Sequence, residues 1–96
     1  MRSLATVATA DPGRYLAQLC KHWSHRFTVT FDPTAGRIEL PAGLCLLTAG
    51  PDRLGLVLEA ADEPGLARLE EVVASHLNRF AFREGELTFD WTRTAA

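Results

Sequence analysis

Two stretches of this chain read as one unit written twice, and that limits the folds open to it. ATADPGRYLAQLCKHWSHRFTVTF (8–31) and EAADEPGLARLEEVVASHLNRFAF (59–82) each pass through an Asp/Pro helix start to an Arg-Phe pair. Allowing one extra residue near the second helix start aligns Leu16 with Leu69, Leu19 with Val72 and Cys20 with Val73. Trp23 then aligns with His76, Arg26 with Arg79 and Phe27 with Phe80. A repeat of this kind, once recognised, decides how the whole chain is read. Two explanations stay open: a duplication giving pseudo-two-fold symmetry, or the caps and periodicity that any two β-α-β segments share.

The elements follow from local pattern. Ser3 to Thr9 is β-branched and short, a strand signal. Asp11 and Pro12 give an N-cap and a first helical residue, and the helix runs to about His25. Arg26 to Asp32 alternates, with Phe27, Val29 and Phe31 on one face and Thr28 and Thr30 on the other. Strands follow at Arg37–Leu40, Leu44–Thr48 and Leu54–Ala60, separated by short Pro/Gly turns that predict an antiparallel meander. Asp62, Glu63 and Pro64 open a second helix, which continues to about Arg79. Phe80–Phe82, the turn REGE and Leu87–Thr92 read as a last extended stretch or hairpin, with Leu87, Phe89 and Trp91 inward and the tail TRTAA frayed. The order is β-α-β-β-β-β-α-β. Two amphipathic helices on one face of an antiparallel sheet make an α+β two-layer sandwich. The whole of 1–96 reads as a single domain, with an ordered core from about 3 to 92.

Charge and apolar patterning narrow the partners. The net charge is −2, and no basic stripe stands out, which argues against nucleic acid. No apolar run reaches the roughly 18–20 residues of a membrane span, so no membrane partner is expected. The two cysteines, Cys20 and Cys45, belong to no CxxC pair and read as thiols of a cytoplasmic protein.

The densest chemistry lies in LCKHWSHRF (19–27). On a helical wheel Leu16, Leu19, Cys20 and Trp23 fall within a stripe of about 100°. His22 and His25 fall on the other side with Arg14, Gln18 and Lys21, roughly 140–160° from Cys20. Cys20 therefore cannot join the two histidines at one ion, and zinc wants at least three convergent ligands. His22 and His25 are expected in water, and they serve a metal only if a third ligand comes from elsewhere. The second helix differs. Its apolar stripe is Leu66, Leu69, Val72, Val73, Leu77 and Phe80, and His76 falls near the middle. A buried imidazole must satisfy two ring nitrogens. A backbone carbonyl or a hydroxyl does so in one reading; in the other, His76 lines a pocket beside Trp23 and Trp91. Arg26 and Arg79 sit at equivalent helix ends, where they complement the helix dipole or form an anion-binding pair. Glu70 and Glu71 read as solvated charge. No Gly-rich phosphate loop, nucleophile elbow or acid/base pair is present.

YLAQLCKHWSHRF, GRIEL and LARLEEVVASHLNRFAFRE together resemble a bacterial family, domain of unknown function family 2218, over about residues 6–91. The resemblance implies a TATA-box-binding-protein-like fold. It also implies an accessory role near siderophore-interacting reductases, although nothing in the chain is similar to their flavin- or nicotinamide-binding parts. Fold likeness does not carry function. The reading is a non-catalytic binding or accessory module, without cofactor, for a protein or small-molecule partner. The candidate ligand residues are His76, Trp23, Arg26 and Arg79. A metal-binding protein using His22, His25 and His76 is the alternative. The polar sheet face, with Thr28, Thr30, Arg37, Glu39, Thr88 and Asp90, would stay wet, bind a partner or pair in a homodimer.

Overall fold

A computed structural model describes residues 1–94. Six strands and two helices follow the expected order: β1 (Arg2–Ala8), α1 (Pro12–Ser24), β2 (Thr28–Phe31), β3 (Ala35–Leu40), β4 (Gly43–Ala49), β5 (Arg53–Glu59), α2 (Glu63–Phe80) and β6 (Thr92–Thr94), with a single 3₁₀ turn at Phe82–Glu84. The strands form one antiparallel sheet in the order β2-β3-β4-β5-β1-β6. The meander β2 to β5 is local, and its last strand receives β1 along its free edge, with Leu4 opposite Val57. β1 and β5 each lead into a helix that crosses one face before the chain rejoins the sheet. Among the described residues no helix is long and apolar enough to cross a membrane.

Alternation along the strands makes the two layers. Ala5, Val7, Ile38, Cys45, Leu47, Leu54, Leu56 and Leu58 point to the helix side and are buried. Tyr15, Leu16, Leu19, Cys20 and Trp23 of α1 meet them, with Leu66, Leu69, Val73 and Leu77 of α2. Each large aliphatic side chain removed from water contributes about 1.5–3 kcal/mol before the chain's ordering entropy is set against it. Two glycines allow the close approach. A Cβ on Gly36 would lie 2.8 Å from the Cys20 sulfur, so α1 can rest on β3 only because that position is bare. Gly43 has φ +154°, and a Cβ there would lie 2.0 Å from the Glu59 carbonyl oxygen.

The helix starts differ in a way the shared Asp/Pro signature hides. Asp62 accepts a hydrogen bond from the Gly65 N–H at 2.8 Å, a working N-cap. Asp11 holds the cap position of α1 without a side-chain bond; instead its own N–H donates to Thr9 Oγ1 at 3.1 Å.

The C-terminal segment corrects the expected hairpin. α2 runs on through Phe80, and residues 87–91 alternate apolar and polar without entering the sheet. Leu87 is still buried, and its N–H donates to Asn78 Oδ1 at 2.7 Å. Phe89 and Trp91 stack on each other, centroids 5.8 Å apart. The strand lies further on, at Thr92–Thr94 of the tail expected to fray, where Arg93 stands opposite Ser3 of β1; Ala95 and Ala96 lie outside the described residues. Two side-chain networks tie this end down. Glu70, expected in water, accepts from Ser3 Oγ at 2.6 Å and from two guanidinium nitrogens of Arg93, at 2.7 and 3.1 Å. Arg93 thereby holds the Glu70 carboxyl below its ordinary pKa, against the opposing effect of burial. Glu84 accepts from the Tyr15 hydroxyl, from Thr9 Oγ1 at 2.7 Å and from the Ala10 N–H at 3.1 Å. Those bonds lower the Glu84 pKa, and Tyr15 is raised by the same contact. Thr88 and Asp90, placed by pattern on the polar sheet face, are exposed but lie outside every strand.

Candidate functional site

The C-terminal end of α1, the middle of α2 and the β3–β4 turn border a cleft of about 540 Å³. From α1 and the residues after it come His22, Trp23, His25, Arg26 and Phe27. From the turn come Leu40, Pro41 and Ala42. From α2 come Arg68, Leu69, Val72 and His76, of which Arg68, Val72 and His76 are four residues apart and so share one helical stripe.

Rings gather at one side of this cleft. His76 lies 4.9 Å from Trp23 and 5.3 Å from His22, centroid to centroid, at tilts of 50° and 48°. His22 also meets the edge of Phe80 at 5.9 Å, in a T-shaped arrangement. His22 is solvent-exposed as expected, yet it is not isolated on the far side of its helix. The wheel gives its direction from the α1 axis, but α2 packs alongside α1 and brings a neighbour to that flank. Trp23 and His76, equivalent positions of the two similar segments, face each other across the helix pair.

The state of His76 follows from one bond. Its Nδ1 lies 2.8 Å from the Val72 carbonyl oxygen. A carbonyl can only accept, so Nδ1 carries the hydrogen, and in the neutral ring Nε2 keeps its lone pair. The histidine is therefore held to its own helix backbone and also lines a cleft, combining both sequence readings. Trp91 is not beside it, being stacked on Phe89 instead.

Every ionisable side chain lining the cleft is basic: His22, His25, His76, Arg26 and Arg68. Neither arginine makes an ion pair with a carboxylate among the described residues. Arg26 instead lies over the Phe27 ring, its guanidinium carbon 5.9 Å from the centroid. Arg79, expected as the partner of Arg26, is exposed in the last turn of α2 and lines no part of this cleft, so it does not share the cleft with Arg26. His22, His25 and His76 border the same space, but among the described residues no three His, Cys, Asp or Glu side chains converge to hold a metal ion. Cys20 faces the core, where burial raises its thiol pKa to about 11. Arg68 and the β3–β4 turn were not singled out from sequence. The four-residue spacing of Arg68, Val72 and His76 carried the signal for the first; nothing local marks the turn, which reaches the cleft only through the fold.

Such an arrangement defines a class: a two-layer α+β domain with an aromatic, basic cleft on its helical side. The chain belongs to the family described as uncharacterized protein conserved in bacteria (DUF2218), matched over residues 4–92. It is similar to the NMR structure of PA4090 from Pseudomonas aeruginosa, with 38% identity and a TM-score of 0.83 over 99% of this chain and 98% of that one. No curated protein matches the chain.

Proposed function

We propose that this domain is a non-catalytic binding module of the cytoplasm, and that its cleft takes a small planar aromatic acid. One observation carries the reading. In a chain of net charge −2, the ionisable groups around the cleft are all basic. Trp23, His76 and Phe27 offer ring faces or edges to an aromatic body. Arg26 and Arg68 offer forked donors to a carboxylate or phenolate, which the planar guanidinium pairs with better than an ammonium would. Nε2 of His76 is left to accept a hydrogen bond from a ring hydroxyl. The siderophore setting implied by the family resemblance agrees with such a ligand, since iron-chelating catechols are planar aromatic anions. Two free, buried thiols suit a reducing compartment.

The test is titration of the labelled protein with 2,3-dihydroxybenzoate, followed by NMR. Cyclohexanecarboxylate and phenol serve as controls lacking the ring or the charge. The expected result is saturable shifts of the Trp23 indole and the His22 and His76 ring signals. They should be weak or absent with either control and lost in Arg68→Ala with the fold intact. Absence of saturable shifts at millimolar ligand, or shifts that Arg68→Ala leaves unchanged, would overturn the proposal.

A further inference from the structure

The face of the sheet away from the helices is uncovered, and we infer that it is a two-fold interface with a second copy of this chain. The argument starts from what stands in its middle. Leu46 of β4 and Val57 of β5 are directly opposed at the centre of the six strands, both part-exposed on the open side. Leu44 lies beside Leu46, and Leu4, at 39% exposure, lies beside Val57. An apolar centre inside a polar rim is the anatomy of an interface core.

The second observation is the placement of charge. The sheet divides evenly between β4 and β5, with three strands on each side. One cross-strand row passes from Glu39 on β3 through Leu44 and Glu59 to Arg2 on β1. Glu39 and Arg2 thus stand in the same row, equidistant from the centre line and opposite in charge. A two-fold axis lying in the face, along the strands between β4 and β5, exchanges β3 with β1 of the second copy. It sets Arg2 against the second copy's Glu39, and Glu39 against its Arg2. The same rotation lays Leu46 on Val57 of the second copy and the aliphatic stem of Arg37 on its Leu4. Within each copy Arg2 already pairs with Glu59 at 3.0 Å and Arg37 with Glu39 at 2.8 Å. Association would join these two-membered pairs into alternating chains of four charges, twice over. At the ends of the row Thr28 meets Thr94 of the second copy, placing hydroxyls at the rim.

Size and geometry agree. Six strands spaced about 4.7–4.9 Å apart span roughly 25–30 Å, within a molecule of 33 × 28 × 20 Å. Such a footprint is of the order of the roughly 800 Å² per partner that a standard interface buries. Stacked sheets pack about 10 Å apart with strands aligned to within about 30°, which an axis along the strands allows. A closed two-fold contact uses the same patch on both copies, so it ends at the dimer.

The measurement is sedimentation velocity across micromolar to near-millimolar protein, on the full chain. A dimer is expected, and Leu46→Glu should turn it into a monomer whose circular dichroism matches the parent. Arg2→Glu and Glu39→Arg should each weaken the dimer, because like charges then meet twice across the axis. Mixing these two variants should restore association, because both contacts between an Arg2→Glu copy and a Glu39→Arg copy are again opposite in sign. A protein monomeric throughout the range would overturn the proposal. So would a dimer indifferent to Leu46→Glu, or variants whose mixture associates no better than either alone. The cleft lies on the opposite side of the sheet, so ligand titration and dimer measurements fail independently.

Discussion

Replacing Gly36 by alanine adds a methyl group where the structure leaves none to spare. The new Cβ would come within 2.8 Å of the Cys20 sulfur and 3.5 Å of methyl carbons of Leu16 and Leu47, all in the closed core. Overpacking by one methyl in such a place costs about 1–3 kcal/mol. Alanine restricts the unfolded chain more than glycine does and returns roughly 0.5–1 kcal/mol. The net expectation is a loss of about 1–2 kcal/mol, or close to 4–15 °C in Tm for a domain of this size. Cys20→Ala alone should cost about 1 kcal/mol, as removal of one buried methyl-sized group does. The informative variant is the double one. With the sulfur gone, the Gly36→Ala methyl fills the space vacated, so the double variant should be more stable than the sum of the singles predicts. Urea unfolding of the four proteins in a double-mutant cycle measures that coupling, expected at about 1 kcal/mol or more and in the restoring direction. Additivity to within about 0.5 kcal/mol would refute the claim that α1 sits on β3 through this contact.

Acid should destabilise the fold through Glu70 and Glu84. Both are lowered in the folded state, chiefly by hydrogen bonds from Arg93 and Tyr15 respectively. Their contribution is therefore complete above the ordinary value of 4.5 and is lost as pH falls through the folded values. Glu70→Gln should lower Tm at neutral pH and flatten its decline towards acid; a decline as steep as in the parent would contradict the role given to Glu70. The two helix starts should also respond unequally. Asp62→Ala should cost about 1 kcal/mol by thermal unfolding, whereas Asp11→Ala, which removes no cap bond, should change Tm little.

Most of the architecture was legible because it is written in local pattern. Short β-branched, alternating or apolar runs between Pro/Gly turns located β1 to β5 to within a few residues, and the Asp/Pro starts located both helices. What failed was the step from pattern to partner. Residues 87–91 alternate like a strand, but alternation reports which side chains face the core, not whether the backbone finds a neighbour. Leu87 satisfies its N–H on Asn78 rather than on another strand. The true edge strand is fixed by Arg93 clasping Glu70, twenty-three residues away in sequence, and no local signal foretells that bond. The cleft was half legible for the same reason. The inward position of His76 follows from one helix, but its company of His22, Arg68 and the β3–β4 turn depends on how three separate segments meet.

The place of β1 in the sheet bears on how the chain reaches its native state. Neighbouring strands β2 to β5 close through short turns, so the entropy lost in pairing them is small. β1 must instead join β5 across the intervening meander and helix, a pairing of long sequence separation that forms slowly. Until it does, the RLGLVLE segment of β5 presents an unpaired, leucine-rich margin of the kind that templates aggregation. The first eight residues thus act as an internal guard as well as a strand, and the danger of misassembly is concentrated in the interval before they dock.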